Sequence, residues 1–121
     1  MASEDVKTEV AEVEGSTTIL TKEAPGDWAG KEGKHIPVLA VEGDKATVTV
    51  PHGMAGDHWI QFIWAKNQEG EVIAAVKLTP EDQPTLAFDV PAGTASITAF
   101  ESCNLHGVWS SDATALAPAS L

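Results

Sequence analysis

Five side chains in this 121-residue chain can ligate a soft or borderline metal ion: His35, His52, His58, Cys103 and His106. They are all of its histidines and its single cysteine. Each falls in a predicted loop or at a predicted strand end, and none in the middle of an apolar run. His35 precedes Ile36-Pro37, where extended backbone is expected. His52 and His58 bracket the "GMAG" turn, a loop of a size that can bring both imidazoles toward one point. Cys103 and His106 share "CNLHG", and Cys-x-x-His is a spacing that recurs in metal sites. A solitary loop histidine is ordinarily solvated, and a lone cysteine ordinarily packs as a small hydrophobe. The common strand-end placement of all five is what argues for one site.

Ligand type narrows the metal. Imidazole with one thiolate suits iron, copper or zinc. Four histidines and a cysteine exceed a closed tetrahedral zinc set. A blue-copper centre uses two histidines, a cysteine and an axial methionine shortly after the last histidine. No methionine follows Cys103, and the only internal one is Met54. Five mixed ligands with one open position fit iron best, with copper and zinc still open. Two alternatives from other classes stand beside a redox enzyme: a cupredoxin-like electron-transfer protein, and a metal-free immunoglobulin-like binding module whose histidines scatter.

The elements that must position these residues read as β-structure. "KATVTV" (45–50) alternates apolar and polar residues. "HWIQFIWA" (58–65) sets His58, Ile60, Phe62 and Trp64 on one face. "EVIAAVKL" (71–78) follows the turn "NQEG" as a hairpin partner, and "TLAFDV" (85–90) and "TASITAFES" (94–102) flank "PAG". No sustained helical period is evident, which predicts an all-β, immunoglobulin-like β-sandwich of about seven strands. Residues 24–37 are rich in Gly and Pro and read as a loop. Residues 1–22 read as an acidic N-terminal arm or edge strand, and 23–121 as a single metal-binding domain. The tail adds a closing edge strand through Ala115 and Leu116.

Net charge is −11, from 18 acidic residues against 7 lysines and no arginine. That argues against nucleic acid and anionic membrane surfaces as partners. The start of the sequence lacks the apolar core of a secretory signal and no run is long enough to span a bilayer, so a cytoplasmic location is expected. One cysteine permits no internal disulfide.

Four stretches resemble the superoxide reductases, of the one-iron neelaredoxin type and the iron-site domain of desulfoferrodoxin. They are "DWAGKEGKHIPVL", "VPHGMAGDHWIQFIW", "SITAFESCNLHGVW" and, loosely, "ATALAPASL". The resemblance runs from about residue 25 to the end. With one cysteine, the sequence has no counterpart of the Cys-rich rubredoxin-like iron domain of desulfoferrodoxin. The resemblance implies one mononuclear iron held by His35, His52, His58 and His106 in a plane, with Cys103 as axial thiolate and the sixth position open. It implies one-electron reduction of superoxide to hydrogen peroxide, a small electron-donor protein such as rubredoxin, and a homo-oligomer, often a tetramer. Lys34, beside the first ligand, would add local positive charge and orient water for proton delivery.

Two positions depart from the family pattern. Gly33 stands where the family has a glutamate that caps the ferric ion, and Glu32, shifted by one, is the nearest carboxylate. Gly53 stands where the family often has proline. Backbone N–H groups of Asn104 to His106 are placed to donate to the Cys103 sulfur, with Gly107 easing the exit of the turn. Packing is the expected role of Trp59, Trp64 and Trp109.

Overall fold

The computed structural model describes residues 4–116. Its elements are α1 (Glu4–Gly15), β1 (Ile19–Leu20), a 3-10 turn (Gly26–Trp28), α2 (Glu32–His35), β2 (Val38–Glu42), β3 (Lys45–Thr49), β4 (Ile60–Lys66), β5 (Val72–Lys77), β6 (Thr85–Asp89), β7 (Ser96–Cys103), β8 (Gly107–Ser110) and β9 (Thr114–Ala115). Two sheets face each other, as an immunoglobulin-like sandwich requires. The larger runs β1-β8-β7-β4-β5, with β9 on the start of β7, and the smaller runs β2-β3-β6. All pairings are antiparallel except β1 with β8.

The core between the sheets follows from alternation in β3 and β6. Ala46, Val48 and Val50 point inward with Leu86 and Phe88, against Ile60, Ile63, Ala65, Ile97, Ala99 and Cys103 of the larger sheet. The larger sheet is covered on its other face too. Val10, with Val6 and Val13 at its flank, packs there on Phe62, Trp64, Ala75, Phe100 and Val108. This explains why β4 and β7 carry long unbroken buried runs rather than clean alternation.

The segment expected to be an arm or edge strand is therefore mostly helix. Val6, Val10 and Val13 recur at the four- and three-residue steps of one helical face, and Glu4 and Asp5 occupy the first turn, where the helix dipole favours negative charge. Only Ile19–Leu20 is strand. Glu14 anchors the helix: its carboxylate accepts from Trp64 Nε1 and Lys66 Nζ, each at 2.6 Å.

Two further local readings change. His35 closes the helical turn α2, while Ile36, the residue directly before proline, carries the extended backbone. In β4 the register against β7 shifts between Ile60 and Phe62. The bulge places Ile60 in the core with Ile63, not on the face of Phe62 and Trp64. The closing strand is present at Thr114–Ala115, and the rest of the tail, 117–121, lies outside the described residues.

Candidate metal centre

Three segments at one end of the sandwich bring the five ligand-type residues together. The α2 turn supplies His35, the β3–β4 loop supplies His52 and His58, and the β7–β8 turn supplies Cys103 and His106. The donor atoms of all five lie within 4.8 Å of one another.

The imidazoles form a closed ring. Neighbouring centroids are 4.8 Å apart for His35–His52, 4.5 Å for His52–His58, 4.8 Å for His58–His106 and 4.9 Å for His106–His35, each pair steeply inclined. His58 Nε2 stands 3.1 Å from His52 Nε2 and 3.2 Å from His106 Nδ1. The Cys103 sulfur sits 3.9 Å from His52 Nε2 and 3.8 Å from His106 Nδ1. His35 and Cys103 are buried, each 3% exposed, and the other three are half-buried. The thiol end of the cluster thus points inward and the imidazole ring reaches the surface.

Backbone acceptors set the tautomers. His35 Nδ1–H donates to the Lys31 carbonyl at 2.8 Å, which leaves the lone pair on Nε2, and that nitrogen is buried without a hydrogen-bond partner. His52 Nδ1–H likewise donates to the Gly53 carbonyl, which turns its Nε2 lone pair into the cluster. A buried nitrogen without a partner costs free energy unless something binds it. A metal ion bound by imidazole at about 2.1 Å spaces adjacent nitrogens roughly 3 Å apart, the separation seen on both sides of His58. The donor set therefore fits a metal ion, with His35 and His52 offering Nε2 and His106 offering Nδ1.

Electrostatics favour the neutral form, the one that ligates, at His35, His52 and His106. Burial pushes His35 down to about 4, helped by its three histidine neighbours and opposed by the Lys31 carbonyl. His52 is lowered by burial, with His58 and Lys34 adding to it, and His106 by burial, with His58, Lys31 and His52 adding. Burial raises the Cys103 thiol, Leu105 and His106 N–H groups pull it back, and Glu101 raises it further. The N–H groups that favour the thiolate are thus those of Leu105 and His106. Asn104 N–H is engaged elsewhere, with the Trp59 carbonyl at 3.1 Å. Gly107 has φ +84°, so the turn leaves through a conformation that L side chains rarely adopt.

Lys34 and Lys31 are exposed and close enough to depress His52 and His106 respectively. Glu32 stands outside the five-residue cluster; its Oε1 is shielded from solvent and has no hydrogen-bond partner. Two tryptophans wall the site. Trp28 meets His106 edge-on at 4.8 Å, and Trp109 stacks on His35. Trp28 was visible in sequence only as one residue of a motif, and nothing in its spacing announced contact with His106.

The desulfoferrodoxin family model matches residues 27–112, a span that contains all five residues. The chain belongs to the desulfoferrodoxin family. Among curated members it is 36% identical over 85 residues to a desulfoferrodoxin homolog of Archaeoglobus fulgidus, covering 68% of this chain and 64% of that protein. The chain therefore spans just under two thirds of that relative's length. Among solved structures, the superoxide reductase of Treponema pallidum is 36% identical, with TM-score 0.59 over 68% of each chain. The E23A variant of the neelaredoxin of Ignicoccus hospitalis, 22% identical, shares the fold at TM-score 0.66 over 82% of this chain and 93% of its own. The converged cluster is the opposite of the scattered histidines expected of a metal-free module.

Proposed function

We propose that this desulfoferrodoxin-family chain is a superoxide reductase, with residues 23–121 as its metal-binding unit and residues 1–22 as an accessory segment. The observation that carries this reading is the convergence of four imidazoles and one buried thiol on a single point. When bound, one mononuclear iron ion supplies the electron and the open position for one-electron reduction of superoxide to hydrogen peroxide.

The chain's own residues do the rest. His35, His52, His58 and His106 hold the ion without adding charge, and the Cys103 thiolate cancels one unit of it, so the site stays attractive to an anion. Leu105 and His106 N–H groups moderate the basicity of the sulfur. Lys34, beside His52, and Lys31, beside His106, counter the acidic surface locally and draw superoxide in. Lys34 Nζ–H groups orient water for proton delivery to the reduced oxygen. Glu32 offers an unpartnered carboxylate oxygen and is the candidate for a further ligand. The electron donor is a small redox protein such as rubredoxin, the location is cytoplasmic and the assembly is a homo-oligomer, with four chains as its candidate size. Among the described residues no helix is long and apolar enough to cross a membrane.

The test is to load the protein with ferrous iron anaerobically, oxidise it stoichiometrically and record the visible spectrum. The expected result is a broad long-wavelength sulfur-to-iron band that Cys103→Ser abolishes together with superoxide reduction. Iron that washes out on desalting, with no such band, would overturn the reading.

A further inference from the structure

Asn104 directly follows Cys103 and makes three hydrogen bonds to the residues on either side of His58. Its Oδ1 accepts from Trp59 N–H at 2.8 Å. Its Nδ2 donates to the Asp57 carbonyl at 3.0 Å. Its own N–H donates to the Trp59 carbonyl at 3.1 Å. We propose that Asn104 is a positioning residue that locks the His58 segment to the Cys103 turn, so that the two are presented to one metal ion. The proposal rests on the reading that both are ligands.

The sheet shows why a side chain is needed here. The ladder between β4 and β7 ends at Ile60 opposite Cys103, next to the bulge that shifts its register. Beyond that point a single backbone bond, Asn104 N–H to the Trp59 carbonyl, joins the two segments, while His58 still has to be held. Asn104 carries one amide acceptor and one amide donor, and these continue the pairing past the end of the ladder. His58 completes its own restraint through a two-residue bridge: its N–H donates to the Ala55 carbonyl at 3.1 Å, and Ala55 N–H donates back at 3.0 Å. His58 is also the corner of the imidazole ring within 3.2 Å of two neighbours' nitrogens, so a small drift of residues 57–59 opens the ring on both sides. Aspartate at 104 keeps the acceptor for Trp59 and loses the donor to Asp57; alanine loses both.

The experiment uses the full chain in two states. In metal-free protein, Asn104→Ala should speed amide exchange at Trp59 at least about tenfold, leaving Trp64 in mid-strand unchanged, and Asn104→Asp should restore most of the Trp59 protection. In a cobalt(II) titration, Asn104→Ala should weaken binding about 10- to 100-fold, the usual effect of losing a group that orients a ligand, and alter the visible ligand-field bands; Asn104→Asp should recover part of the affinity. Wild-type protection of Trp59, or wild-type cobalt affinity and spectrum, in Asn104→Ala overturns the proposal. If the alanine variant does not fold, Asn104→Asp and Asn104→Ser carry the same comparisons. Should the wild type show no thiolate-to-cobalt band that Cys103→Ser removes, the metal reading itself falls and takes the positioning role with it. Loss of Trp59 protection together with an intact wild-type band isolates the role of Asn104.

Discussion

The indole of Trp109 lies against the imidazole of His35, centroids 5.3 Å apart and planes 24° from parallel, while its Nε1–H donates to the His106 carbonyl at 2.8 Å. One fully buried side chain thus braces two corners of the imidazole ring by different means. Trp109→Phe keeps the stacking surface and loses the hydrogen bond, so it should lower unfolding stability by about 1 kcal/mol. Trp109→Ala removes both and should lose about 3–5 kcal/mol. Urea unfolding of the metal-free proteins measures both, and equal losses would show that the hydrogen bond, not the ring, is what matters.

Glu14 ties α1 to the larger sheet through Trp64 and Lys66, and Lys66 in turn lies over the Phe100 ring at 5.2 Å. Glu14→Ala leaves the Trp64 N–H without its acceptor and the ammonium without its partner, and should destabilise the protein by about 1–3 kcal/mol. Trp64 emission should shift to the red as α1 loosens. An unchanged unfolding midpoint would mean that the valine contacts alone hold the helix.

Glu101 is fully buried, and neither carboxylate oxygen has a hydrogen-bond partner. It pairs across the sheet with Ile63 and Trp109. Burial raises its carboxyl well above the usual value of 4.5. Above that value the unfolded chain releases a proton that the native chain keeps, so the contribution of Glu101 to stability falls as pH rises. Glu101→Leu should therefore stabilise the metal-free protein, and its advantage over wild type should grow from pH 4.5 upward. The difference in unfolding free energy at three pH values checks this, with a pH-independent difference as the contrary result.

Lys34→Glu should slow reaction with superoxide by about three- to tenfold and flatten its dependence on ionic strength, since a local charge steers an anion chiefly through the association rate. Lys34→Gln should fall between the two. Pulse radiolysis at low and high salt reads both quantities. Identical salt slopes in all three proteins would place the steering charge elsewhere.

The candidate donor set was legible because its chemistry is carried by residue type: histidine and cysteine are scarce here, and each fell in a predicted loop or at a predicted strand end. The sandwich was legible in β3 and β6, where one buried face produces alternation. It was less legible in β4 and β7, which are buried on both faces, and the bulge after Ile60 reversed the expected facing of that residue. The helix α1 was hidden because its whole apolar signal is three valines among acidic residues. Those valines mark a helix once a sheet face of Phe62, Trp64 and Phe100 exists for them to cover.

Residue type and spacing alone therefore determined which atoms are available to a metal and that strands must carry them. Tertiary structure decided how those atoms meet. The order of the imidazoles around the ring and the hold of Asn104 on the His58 segment both depend on contacts and hydrogen bonds between loops that are distant in sequence. No local pattern encodes those bonds, because each exists only after the two sheets have packed.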